Sequence, residues 1–170
     1  MKALDVASVF VNCYGNAIKP TNLKVNKLAY YAQVESLRMR GCVLFDDEIE
    51  AWKYGPVVPS IYHAFKAFGR GVITSAPQAQ DVTESDGCVI EYVANTYGKL
   101  TAFDLVSVSH RDGGAWRNVY SEHEDRVITD RDIVESIDYL GVSGIGGTLD
   151  AGIRGVINSI PNVLKMLENS

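Results

Sequence analysis

His110, Arg111 and Asp112 stand in the order of a kinase catalytic loop, where the Asp would act as base toward a substrate hydroxyl. No Gly-rich phosphate loop, suitably placed Lys or Asp-Phe-Gly accompanies them, so kinase chemistry is excluded. His110, Asp112, His123 and Glu124 offer metal-ligand atoms, but their spacing matches no helical HExxH or other compact ligand pattern. His110 is instead expected to end a helix and to meet its C-terminal carbonyls. The acidic run Asp46, Asp47, Glu48 and Glu50 lacks the Gly and alternating spacing of a calcium loop and reads as a solvated turn. Gly141, Gly144, Gly146 and Gly147 have no βαβ unit or phosphate-binding Lys after them, which makes them a connector rather than a nucleotide loop. The residues thus present no catalytic set, no metal site and no call for a cofactor.

The 170 residues are 46% apolar and 22% charged, the composition of a globular chain able to bury a sizeable core. A net charge of -5 argues against a polyanion as the main partner. Lys19, Lys24 and Lys27 form a modest basic patch that could touch phosphates, which keeps a nucleic-acid-binding regulator as an alternative, although a solvated edge is the simpler expectation. Cys13, Cys42 and Cys88 are far apart, show no CxxC spacing, and read as buried thiols in a reducing cytosol. No run reaches the roughly 20 apolar residues of a membrane helix. Asp5 interrupts the apolar N-terminal stretch, so no secretion signal is expected and a cytoplasmic location follows.

Helical elements dominate. Leu4, Ala7, Val11 and Tyr14 share one helical face up to Gly15. Thr21 or Asn22 can cap a second helix that reaches Arg40 and stops at Gly41. Its apolar residues cover more than one side, which places it at the centre of a bundle. Residues 43–45 and 49–53, around Asp46 and Asp47, read as a two-stranded unit closed off by Tyr54, Gly55 and Pro56. Pro59 opens a helix ended by Gly69 and Gly71, and 72–87 reads as irregular connection. Further helices are expected before Gly98, behind a Thr101 cap, over 114–120 and over 130–140. The predicted fold is mainly α: a small helical bundle with a short β-hairpin over 1–140, plus a Gly-rich connector and apolar helical extension over 141–170.

The densest local signal is 50–59, where Trp52, Tyr54, Gly55, Pro56 and Pro59 fix the backbone path closely. Such a corner either plugs its own core or presents Trp52 and Tyr54 as anchors to a partner. Three stretches then act together: 22–33 with Tyr31 and Gln33, 44–62 with this corner, and 100–116 with His110 and Trp116. In type, order and separation they resemble the Panacea domain family, the SocA-like and GepA-like proteins, over about residues 3–140. Val25, Asn26 and Ala29 stand where the family usually carries Leu, Gln and Leu.

The resemblance implies a non-enzymatic antitoxin. Family members lie beside diverse toxin genes in bacteria and phages and neutralise the toxin by direct binding, while one branch delivers its toxin to a cytosolic ATP-dependent protease. The toxin-specific surface is expected to vary, and the segment after Gly141 is a candidate for it. Leu149, Ile153, Val156, Ile157 and Ile160, followed by Leu164 and Leu167, have the spacing of a helix that docks in a partner's groove or covers its own domain.

Overall fold

The computed structural model describes residues 1–140. The connector glycines from Gly141 onward and the apolar positions Leu149, Ile153, Val156, Ile157, Ile160, Leu164 and Leu167 lie outside the described residues. Within 1–140 the architecture is mainly helical, with eight α-helices and one three-stranded antiparallel sheet.

Helix α1 (Ala3–Ile18) begins where Asp5 turns back to accept the backbone N–H of Lys2. It runs through Gly15, where the sequence predicts its end. The cost of an interior Gly, about 1 kcal/mol, is offset because the extra turn buries Ile18. Helix α2 (Asn22–Arg40) starts on the Thr21 hydroxyl, which accepts the Lys24 N–H, and stops at Gly41 in the left-handed conformation, as predicted. Every residue from 24 to 37 is buried, which makes α2 the axis of the bundle.

Of the two strands the sequence predicts, 49–53 forms and 43–45 does not. Strands β1 (Ile49–Trp52) and β2 (Gly55–Val57) form the hairpin, and β3 (Arg126–Ile128) pairs with the other edge of β1 to give the order β2-β1-β3. Residues 43–45 stay out of the sheet for a local reason. The Gln33 side-chain oxygen accepts the N–H groups of Leu44 (2.9 Å) and Phe45 (3.2 Å), and its amide nitrogen donates to the Phe45 carbonyl. The polar groups a ladder would use are therefore held by α2.

Helix α3 (Pro59–Phe65) continues as a 3₁₀ turn to Gly69. Helix α4 (Glu84–Thr96) starts inside the stretch read as irregular, because Thr83 and Asp86 exchange reciprocal capping bonds. Helices α5 (Ala102–Ser109) and α6 (Ala115–Val119) follow the prediction, the first behind its Thr101 cap. The single helix expected over 130–140 is two, α7 (Asp130–Val134) and α8 (Ile137–Leu140). Ser136 is buried between them with its hydroxyl on the Ile133 carbonyl, and the Ile137 N–H leaves the helical ladder for the Gly113 carbonyl.

Cys13, Cys42 and Cys88 are exposed, which corrects the expectation of buried thiols. Cys13 and Cys88 stand on outward positions of α1 and α4, and Cys42 follows the end of α2. No helix among the described residues is long and apolar enough to cross a membrane.

Candidate interaction surface

The β1–β2 hairpin is fixed to α2 from beneath. Lys27, fully buried, donates its ammonium to the Pro56 carbonyl at 2.9 Å, and Asn26 Oδ1 accepts the Val58 N–H at 2.9 Å. Gly55 closes the turn at φ 100°, and a Cβ there would stand 2.7 Å from Ser109 Oγ and 2.8 Å from Lys27 Cε. Only a residue without a side chain lets the hairpin lie this close to α2 and α5. Burial pulls the Lys27 amine down to about 7.

A second brace comes from α6. Trp116, 3% exposed, donates its indole N–H to the Trp52 carbonyl at 2.8 Å. Its rings lie parallel to His110, with centroids 3.6 Å apart, and stack on Tyr120 at 4.6 Å. His110 does follow α5, but its ring lies against Trp116, and Nε2 has no hydrogen-bond partner among the described residues. Burial lowers its pKa to about 4, with Lys27 and Arg117 adding to the effect. The imidazole is thus neutral near pH 7, and no imidazolium serves the carbonyls of α5.

The same braces support the aromatic corner. Trp52 and Tyr54 are half-buried. The Trp52 indole donates to Glu50 Oε2 at 2.6 Å and meets the Tyr62 ring edge-on at 4.9 Å. Pro56 is buried in the hairpin, and Pro59 opens α3 beneath Tyr62. The corner is therefore both a plug at its base and an aromatic ledge at its rim.

The remaining motif residues are internal. Tyr31 stacks on Tyr97 at 4.6 Å, and the Tyr97 hydroxyl donates to the buried Glu35, which also pairs with Arg38. Asp138, buried, accepts the Tyr30 hydroxyl at 2.7 Å and the Ala115 N–H at 3.0 Å, tying α8 to α2 and α6. Burial and the Asp138 charge push the Tyr30 and Tyr31 hydroxyls well above the usual tyrosine range.

Two constellations weighed from the sequence do not assemble. The basic patch loses Lys24 and Lys27 to the interior, where Lys24 caps the carbonyls of Ile18 and Gly98. Only Lys19 of the three is exposed, because a buried helix end leaves carbonyls that a long cationic side chain can satisfy. His110, Asp112, His123 and Glu124 are not gathered into a metal-ligand group, and among the described residues no such group of three or more exists. Asn26 and Asp138 are positions sequence reasoning missed, and Lys27, read there as part of a solvated edge, is a buried brace instead. Their one signal is a polar residue inside an apolar stretch.

A helical bundle around a hydrophobic core, with buried polar side chains bracing a half-buried aromatic corner, is the class of protein that the fold defines. The chain belongs to the SocA-like antitoxins with a Panacea domain, whose family model matches residues 25–117. It is also 32% identical to Antitoxin SocA of Caulobacter vibrioides (strain NA1000 / CB15N) over 156 residues, covering 76% of this chain and 81% of that protein. No solved structure matches it. Membership supports an antitoxin role in a toxin–antitoxin pair, a regulatory rather than catalytic one, with a cognate toxin as partner.

Proposed function

We propose that the protein neutralises its toxin in the cytoplasm by binding it directly, using the Trp52 and Tyr54 corner together with the apolar positions of 141–170. The carrying observation is the support of that corner. Trp52 is held through its carbonyl by Trp116 and through its indole by Glu50, while Lys27 anchors the next strand. Aromatic side chains already fixed in place lose little freedom on binding, and Trp and Tyr are enriched among the residues that carry interface energy. Leu149, Ile153, Val156, Ile157 and Ile160 have the sequence spacing of one helical face, a pattern that suits docking in a groove on the toxin.

Co-expression with the product of the adjacent gene tests the reading, with growth rescue and co-elution scored together. Direct binding predicts rescue and a stable complex. Trp52→Ala should weaken the complex by about 30-fold, and Leu149→Asp with Ile153→Asp should abolish it while 1–140 stays folded. Rescue accompanied by loss of toxin protein would replace direct neutralisation with delivery to a protease. Absence of both rescue and complex would overturn the proposal.

A further inference from the structure

The sheet carries two unlike faces. In its register Ile49 lies opposite Ile128 and Ala51 opposite Pro56, and Ile49, Ala51 and Ile128 belong to the hydrophobic core. Side chains alternate along a strand, so Glu50 and Trp52 stand on the other face, with Val57 of β2 and Val127 of β3 on either side of Glu50. That face is partly open. Val127 is 41% exposed, and Glu50 and Trp52 are half-buried.

The Glu50 carboxylate is fixed and has no counter-ion. Its Oε2 accepts the Trp52 indole N–H at 2.6 Å, and among the described residues no Lys, Arg or His pairs with it. Arg126, the cation on β3, stands opposite Ala51 and pairs with Glu124. Tyr62 of α3, also half-buried, meets the Trp52 ring edge-on at 4.9 Å, so the carboxylate is bonded to one member of an aromatic pair. The neighbouring turn already sets a cation against a ring, with Lys53 Nζ 5.6 Å from the Tyr54 centroid.

A half-buried carboxylate with no cation beside it has lost part of its hydration without gaining a partner of opposite charge. A guanidinium matches both features of the site, because it can bond the carboxylate while its planar face lies on an aromatic ring. An ammonium is more strongly hydrated and has no flat face to stack. The indole bond holds the carboxylate in place beforehand, so little of its freedom is lost on binding.

We infer that Glu50, together with the Trp52 and Tyr62 rings, receives an arginine side chain of the toxin. The inference rests on the aromatic corner as the toxin's contact and adds what the toxin must present there, a guanidinium in place of an apolar side chain alone.

The test titrates acetyl-arginine amide into the isotope-labelled full chain, with acetyl-citrulline amide as the uncharged control. The two tryptophans give two indole N–H signals, of which that of Trp52 should shift with the arginine compound more than that of Trp116, together with the amides of 50–52. Salt at about 0.5 M should weaken the response several-fold. Glu50→Gln keeps an oxygen for the indole and removes the charge, so it should leave the thermal transition in place, weaken the arginine response by at least about tenfold, and weaken the toxin complex by a similar factor. An equal response to citrulline, an undiminished response in Glu50→Gln, or an equally tight toxin complex in that variant would overturn the inference. Trp52→Ala separates the two readings. If it loses the toxin while Glu50→Gln binds and rescues like the parent, the arginine contact fails and the corner stands. If both variants bind the toxin like the parent, the corner itself fails as the contact, and the arginine inference fails with it.

Discussion

Trp116 donates its indole N–H to the carbonyl of Trp52 at 2.8 Å, and that bond joins α6 to the rim of the aromatic corner. The same ring covers His110 on one side and meets Tyr120. Trp116→Phe keeps most of the stacking and removes the bond, which should cost about 1 kcal/mol. Trp116→Ala also opens a cavity under the hairpin and should cost about 3–5 kcal/mol. Urea unfolding with an unchanged slope checks both, and equal losses for the two variants would mean that the hydrogen bond dominates over packing.

Lys27 makes stability depend on pH on the alkaline side. Its folded pKa, lowered by burial to about 7, lies below its ordinary value of 10.5. Below pH 7 both states carry the proton and the folded state bears a buried ammonium. Between the two values the unfolded chain binds a proton that the folded chain does not, so stability rises with pH, by up to about 1.4 kcal/mol per unit. Lys27→Met should abolish that rise between pH 7 and 9.5. Parallel pH profiles for the parent and the variant would show the amine to be charged in the fold.

His110 acts on the acid side. Burial lowers its pKa from 6.5 to about 4, so the folded state favours the neutral ring. As pH falls from 6.5 to 4 the unfolded chain gains a proton first and stability declines, by less than about 1.4 kcal/mol per unit, an effect complete below pH 4. His110→Phe preserves the face against Trp116 and should flatten that limb of the profile. An unchanged acid limb would place the dependence on carboxylates instead.

What the sequence reveals and what it hides divides mostly along the range of the interactions. The cap at Thr101 is set by a residue three positions away and is legible before any coordinates, and the one at Thr21 is legible to within one residue, although the equally local Thr83–Asp86 box falls in a stretch read as irregular. The burial of α2 is legible in its apolar circumference, yet the same pattern hides the work of Asn26, Lys27 and Gln33. A polar residue in an apolar helix does not say which distant backbone group it will meet. Strand β3 is three residues long, and its pairing with β1 is a relation across more than 70 positions that no local pattern encodes. The aromatic corner lies between these extremes. Its residues announce a rigid turn, but the division between plug and ledge depends on where Trp116 packs.

Gln33 links the legible helix to the hidden sheet, and its replacement separates two contributions. Its oxygen satisfies the N–H groups of Leu44 and Phe45, and its nitrogen satisfies the Phe45 carbonyl and Asp130. Gln33→Leu leaves buried donors without acceptors and should cost at least about 2 kcal/mol. Gln33→Glu keeps an acceptor for the two N–H groups but sets a second carboxylate against Asp130, so its penalty should shrink when Asp130→Asn supplies an amide donor in the same protein. A double-mutant cycle in urea measures that coupling, and a cycle that closes with no interaction energy would show that the two side chains act independently.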